Sequence, residues 1–194
     1  MSKRKYTVRV PKYAAGIRAQ SGRIESVRSW WAMRWRTVME NMGLGARLGR
    51  GRNYAASGQV VSLKMEGPHV EAVVVGTRPE PYRPTIEFRA PSGEARERIL
   101  SRLRAEPIIA ARFLANDLPY EVEEIFQAEG FDLFPGRKLG PGRYDMTTKC
   151  TCPDYANPCK HTSAVLLLLG EEIARRPETL LGLRGIEIQE LYED

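Results

Sequence analysis

The sequence predicts an α+β fold: an N-terminal helix, a small antiparallel β-meander, a helical middle and a C-terminal ββα module. Three observations predict it. Apolar residues recur at steps of three and four from about Ser26 to Met42, the spacing of one helical face. Three short β-branched runs lie between Val60 and Arg89, each bounded by turn residues. All three cysteines fall within twelve positions, with one of the two histidines closing that run and an aliphatic stretch following it.

A chain of 194 residues can bury a real core. Its 42% apolar and 28% charged residues place it among globular proteins rather than disordered or fibrous ones. No apolar run approaches the ~20 residues that span a bilayer, so no membrane partner is expected. The basic start Met1-Ser-Lys-Arg-Lys is not followed by an apolar run of signal-peptide length. A reducing cytoplasm is the expected location.

Residues 1–22 set Lys3, Arg4, Lys5, Arg9, Lys12 and Arg18 among Tyr6 and Tyr13, and Pro11 and Gly16 interrupt any period. They read as an extended basic arm that orders when it lies on something. Residues 1–54 hold thirteen Lys or Arg against two acids, a net of +11, so the remainder carries −5 of the total +6. Such polarity points to an acidic partner, nucleic acid first, with a solubilising tail as the plainer reading.

In the helix from Ser26 to Met42, Val27, Trp31, Trp35, Val38 and Met42 form one stripe. Its tryptophans read as buried anchors rather than as a stacking platform. The link Gly43–Gly58 carries Arg47, Arg50 and Arg52 among five glycines. It lacks the G-x-x-x-x-G-K-[ST] pattern of a nucleotide loop, and reads equally as a phosphate-approaching loop or as a connector.

Val60–Met65, Val70–Val75 and Thr85–Arg89 are the three expected strands. His69, at a strand start, reads as an ordinary edge residue. Ser92 is the expected N-cap of a helix reaching Arg104, with Ile99, Leu100 and Leu103 turned inward. Ile108–Leu114 and Tyr120–Ala128 read as two more helices. The glutamates of the second make a solvated face, since no nucleophile or histidine lies beside them. Gly136, Gly140 and Gly142 form a basic turn with Arg137, Lys138 and Arg143, and Tyr144–Lys149 is the strand that follows.

Cys150-Thr-Cys152-Pro-Asp154-Tyr-Ala-Asn157-Pro158-Cys159-Lys160-His161 then has the spacing C-x-C, six residues, C-x-H. Thiolate and imidazole are donors that suit Zn²⁺, and four of them complete a tetrahedron. Asp154 and Asn157-Pro158 are turn formers that let the two halves meet. The expected ligands are Cys150, Cys152, Cys159 and His161, the first pair on a strand or knuckle and the second at a helix start. Four protein ligands leave no open position for an activated water, so the metal reads as structural and no enzyme is expected. A disulfide would leave one cysteine unpaired. A [2Fe–2S] cluster on three Cys and one His is the other alternative, although in the CDGSH family the histidine lies farther away, behind an Asp-Gly pair.

This run, with the aliphatic helix after it, resembles the SWIM zinc finger. Cys152-Pro153-Asp154 and Pro158-Cys159-Lys160-His161 resemble the stand-alone bacterial and archaeal members. Weaker likeness extends to Trp30-Trp31, to Arg50 through Ala55 and to Leu180 through Gly185. The resemblance implies a ββα zinc module that binds DNA or protein, and a partner among helicases of the chromatin-remodelling superfamily; a recombination protein is the other partner expected.

After the finger, Ala164–Arg175 is helical, Pro177 marks its end, and Leu180, Leu181 and Leu183 pack back on it. The expected organisation is a basic arm at 1–22, an α+β body at 23–142, and a finger with its helix at 143–194. The expected function is a non-catalytic, nucleic-acid-binding adaptor, with DNA before RNA. Its nucleic-acid contacts are Lys3, Arg4, Lys5, Arg9, Lys12, Arg18, Arg47, Arg50 and Arg52. The alternative is a subunit that docks on a helicase without touching DNA.

Overall fold

Alternation of apolar and polar residues builds the sheet. β1 (Val60–Glu66) and β2 (His69–Val74) form a hairpin, and β3 (Thr85–Phe88) pairs antiparallel with β2. The structure, a computed structural model, describes residues 11, 14–20, 29–136, 138–140 and 143–193, with the backbone alone at 138–140, 143 and 144. Where a basic turn was expected, β4 (Lys138–Gly140) and β5 (Arg143–Tyr144) make a two-stranded hairpin. β6 (Met146–Lys149) then pairs with β3, from Phe88↔Met146 to Thr85↔Lys149. The meander therefore continues into a four-stranded sheet ordered β1-β2-β3-β6, and its last strand leads into the cysteine run. Val70, Ala72, Val74, Ile86, Phe88, Met146 and Thr148 face inward, while Glu71, Glu87, Thr147 and Lys149 face water.

Helix α1 (Trp30–Asn41) matches the described part of the predicted one; residues 21–28, with Val27, lie outside the described residues. Trp31 and Trp35 are buried anchors. Trp35 Nε1 donates to the Leu166 carbonyl at 3.1 Å. Trp30 donates to the Leu118 carbonyl at 2.9 Å and stacks on Tyr120 with centroids 4.2 Å apart.

The link 43–58 is neither a loop nor a connector. It holds helix α2 (Ala46–Ala56), bounded by Gly43, Gly45 and Gly58 at positive φ. The remaining helices are α3 (Gly93–Arg104), α4 (Pro107–Leu114), α5 (Tyr120–Ala128), α6 (Lys160–Arg175) and α7 (Thr179–Leu183), with a 3₁₀ turn at Ile188–Leu191. Ser92 occupies the N-cap position of α3, yet its side chain makes no cap hydrogen bond. Its backbone is extended, and the geometry of the turn, not the hydroxyl, starts the helix.

Gly51 explains α2. A Cβ there would stand 2.6 Å from the Ser163 Cβ and 3.0 Å from the Lys160 carbonyl oxygen, so only glycine lets α2 seat against α6. Packing outweighs the ~1 kcal/mol by which glycine disfavours a helix interior. α6 is buried along most of its length, and its residues join those of α1, α2 and the sheet in one hydrophobic core.

The part of the basic arm that is described lies on this body. Gly16 donates to the Gly58 carbonyl at 2.9 Å, Ile17 to Val60 at 2.7 Å and Ala19 to Ala55 at 2.9 Å. Arg18 is exposed. Lys3, Arg4, Lys5, Arg9 and Lys12 lie outside the described residues. No helix among the described residues is long and apolar enough to cross a membrane.

Candidate metal centre

β6 carries the chain to Lys149, and the cysteine run begins where the ladder ends. Thr148 then holds the loop folded back. Its hydroxyl donates to Asn157 Oδ1 at 2.5 Å, and Asn157 Nδ2 donates to the Thr148 carbonyl. Asp154 Oδ1 accepts from the Ala156 amide at 3.1 Å, closing the intervening turn. Thr151 Oγ1 accepts from the Arg83 amide at 3.0 Å, which fastens the knuckle to the loop before β3. Cys159 is the N-cap of α6, and its carbonyl accepts from Ser163 Oγ at 2.9 Å. The expected placement holds: one pair of ligands follows a strand, the other starts a helix.

The ligand atoms of Cys150, Cys152, Cys159 and His161 all lie within 4.8 Å of one another. His161 Nδ1 is 3.8 Å from Cys159 Sγ and 3.9 Å from Cys150 Sγ. A tetrahedron with Zn–S near 2.3 Å has edges of about 3.8 Å, so one metal ion fits between these atoms. The donor set suits Zn²⁺. Cys159 and His161 are buried, whereas Cys150 and Cys152 are half-buried beside an open cleft of about 250 Å³.

His161 is positioned by aromatic rings. Tyr82 stacks on it with centroids 4.1 Å apart and planes at 21°, and Tyr54 meets it edge-on at 5.2 Å. Neutral imidazole commonly donates its remote N–H to an acceptor. Nε2 is instead buried without a hydrogen-bond partner among the described residues. The two tyrosine rings orient the ligand by shape.

The thiols titrate as a set. The hydrogen bond from Cys150, then those from His161 and Thr162, pull the Cys159 thiol far below its ordinary range against the effect of burial. Cys150 is pushed up by that same bond to Cys159 and by burial, and Cys152 is pushed up chiefly by burial. Left to themselves the three sulfurs compete for charge. A bound divalent cation removes that competition, because coordinating thiols lose their protons outright.

Residues 142–170 match the family model of the SWIM zinc finger. This chain carries a SWIM zinc finger. Its ligands are contributed by the cysteine run and the first turn of α6, and its helix is the central helix of the core. The chain is also 40% identical over 177 residues to the uncharacterized protein Rv2102 of Mycobacterium tuberculosis, an alignment covering 91% of this chain. The chain spans 62% of the length of that relative. No solved structure matches the chain.

The SWIM finger also meets the basic front of the sequence. Arg47 lies 3.5 Å from Asp154 Oδ2, with its guanidinium 5.6 Å from the centroid of Tyr155. Lys160 Nζ stands 5.2 Å from the Tyr54 ring. Arg50 and Arg52 are exposed on α2. His69 sits away from the finger, between Glu71 and Glu87 on the outer face of the sheet. Sequence reasoning missed Tyr82, in the segment Pro81-Tyr82-Arg83-Pro84, where no periodicity marks it as inward. It also missed the tyrosine at position 54, hidden in a stretch read as a link.

Proposed function

We propose that this protein is a non-catalytic zinc-binding adaptor that binds nucleic acid and works beside a helicase or recombination partner in a reducing compartment. The observation that carries the reading is the seating of basic α2 on the SWIM finger helix through Gly51. That packing sets Arg47 and Lys160 beside the finger, with exposed Arg50 next to Gly51 on α2. Four protein ligands satisfy a tetrahedral ion, which supports a structural rather than a catalytic metal.

Phosphate contacts by Lys and Arg release counterions, and each contact on duplex DNA adds about −0.9 to the slope of log affinity against log salt. The test is a salt titration of DNA affinity for the zinc-loaded chain, an R50E/R52E variant and a chain lacking residues 1–13. Both altered proteins should bind more weakly with a shallower slope while keeping their zinc. DNA binding that is undetectable at low salt would sink the reading. It would leave a subunit that docks on protein alone, for which the exposed Ile108 and Leu114 on α4 offer apolar surface.

A further inference from the structure

Tyr155 is the most exposed large apolar side chain described, 95% accessible, at the tip of the finger loop. Such a ring gains nothing for the fold by standing in water. Its neighbourhood nevertheless restrains it. Asp154 is tied to the Ala156 amide on one side of it and to Arg47 on the other. The Arg47 guanidinium lies over the Tyr155 ring. A cation held by a carboxylate thus stands 5.6 Å from the ring centroid, and at 95% exposure both faces of the ring are open to solvent.

From this we infer that Tyr155 is a stacking platform for an unpaired base, and that the nucleic acid engaged by the finger is single-stranded. The inference rests on the nucleic-acid reading above and names the class of ligand. A duplex presents phosphates but hides the faces of its bases, so an exposed ring at the loop tip has nothing to stack on. A single strand offers both, and aromatic stacking beside a basic groove is the usual way to hold one without reading sequence. Asp154 cancels much of the charge of Arg47, so Arg47 acts as a positioning residue beside the ring. Arg50 and Lys160, near the same α2–α6 seam, and Lys149 at the end of β6 are left for phosphates. The six-residue spacer between Cys152 and Cys159 thereby gains a task beyond closing the metal shell.

The test compares three fluorescent ligands on the zinc-loaded full chain: an oligothymidylate, an abasic oligomer of equal length and charge, and a duplex. The oligothymidylate should bind about tenfold more tightly than the abasic oligomer, the worth of roughly one stacked base. Tyr155→Ala should erase that difference without changing the salt slope, and Tyr155→Trp should preserve it. Metal content and circular dichroism of each variant establish that the finger is intact. Equal affinity for the thymidylate and abasic oligomers, or a preference unmoved by Tyr155→Ala, would overturn the inference while nucleic-acid binding stands. No binding to any of the three at low salt would overturn both.

Discussion

Arg184 Nη2 donates to Asp145 Oδ2 at 2.7 Å inside the protein, where the two side chains are 1% and 5% exposed. Arg184 follows α7, and Asp145 immediately precedes β6, the strand that delivers the finger. The remaining polar atoms are satisfied as well. Arg184 Nε donates to the Leu133 carbonyl at 3.1 Å and Nη1 to the Arg89 carbonyl at 2.7 Å, while Asp145 Oδ1 accepts from the Gly136 amide at 2.6 Å. Burial lowers the pKa of Arg184, and Asp145 opposes that effect.

Removing one partner strands a buried charge, which typically costs about 3–5 kcal/mol. Asp145→Ala and Arg184→Leu should each lower stability by that order in urea unfolding. The double variant should lose less than the two losses added together, since it strands no charge. Strict additivity would show that the pair is not coupled.

Removal of the metal should be felt well outside the finger. β6 completes the sheet and α6 is buried in the common core, so both elements that carry the ligands also hold the body together. Folding free energy and metal-binding free energy are linked where ligands are brought together only by the fold. Cys152→Ser, or exhaustive chelation, should abolish stoichiometric zinc and lower the thermal midpoint. It should also expose β3 and α2 amides to hydrogen exchange. Exchange confined to 150–161 would mean that the body stands without the finger.

The ligand set was legible in the sequence because ligand chemistry and spacing are local. Four donors of the right type within twelve residues leave few alternatives. The pairing of β6 with β3 was not legible, since nothing in Met146–Lys149 names its partner some sixty residues away. Helix α2 was concealed by Gly43, Gly45, Gly49 and Gly51, which read locally as a loop although two are caps and one is a contact. The burial of Arg184 was not legible either, because arginine is so seldom fully buried; only its partners in the fold explain it.

Gly49 and Gly51 both lie within α2, two residues apart, and should respond oppositely to alanine. At Gly49 an added Cβ meets nothing within 4 Å, so Gly49→Ala should stabilise by up to about 1 kcal/mol through helix propensity. At Gly51 the added carbon meets backbone atoms of α6 and the Ser163 Cβ, which cannot swing aside. Gly51→Ala should therefore destabilise by about 1–3 kcal/mol despite the same gain in propensity. Equal effects at the two sites would mean that α2 does not seat on α6 through Gly51.

His69 supplies a pH dependence separate from the metal. Its Nε2 lies 3.0 Å from Glu71 and its Nδ1 2.7 Å from Glu87, both on the solvent face of the sheet. These bonds, Glu71 first and then Glu87, raise its pKa, so the fold prefers the protonated ring. Glu66, opposite His69 in the β1–β2 ladder, is engaged by Lys64. A group whose pKa is raised by folding stabilises fully below its unfolded value, about 6.5 for histidine. That contribution fades as the pH climbs through the raised folded value. In a proton NMR titration His69 should therefore titrate above about 6.5. Glu71→Gln and Glu87→Gln should each bring it back toward that value, and His69→Gln should assign the resonance. The zinc content of the protein should not change across these variants, because neither glutamate nor His69 lies at the finger. A midpoint at or below 6.5 in the unaltered chain would show that the two carboxylates do not hold the ring.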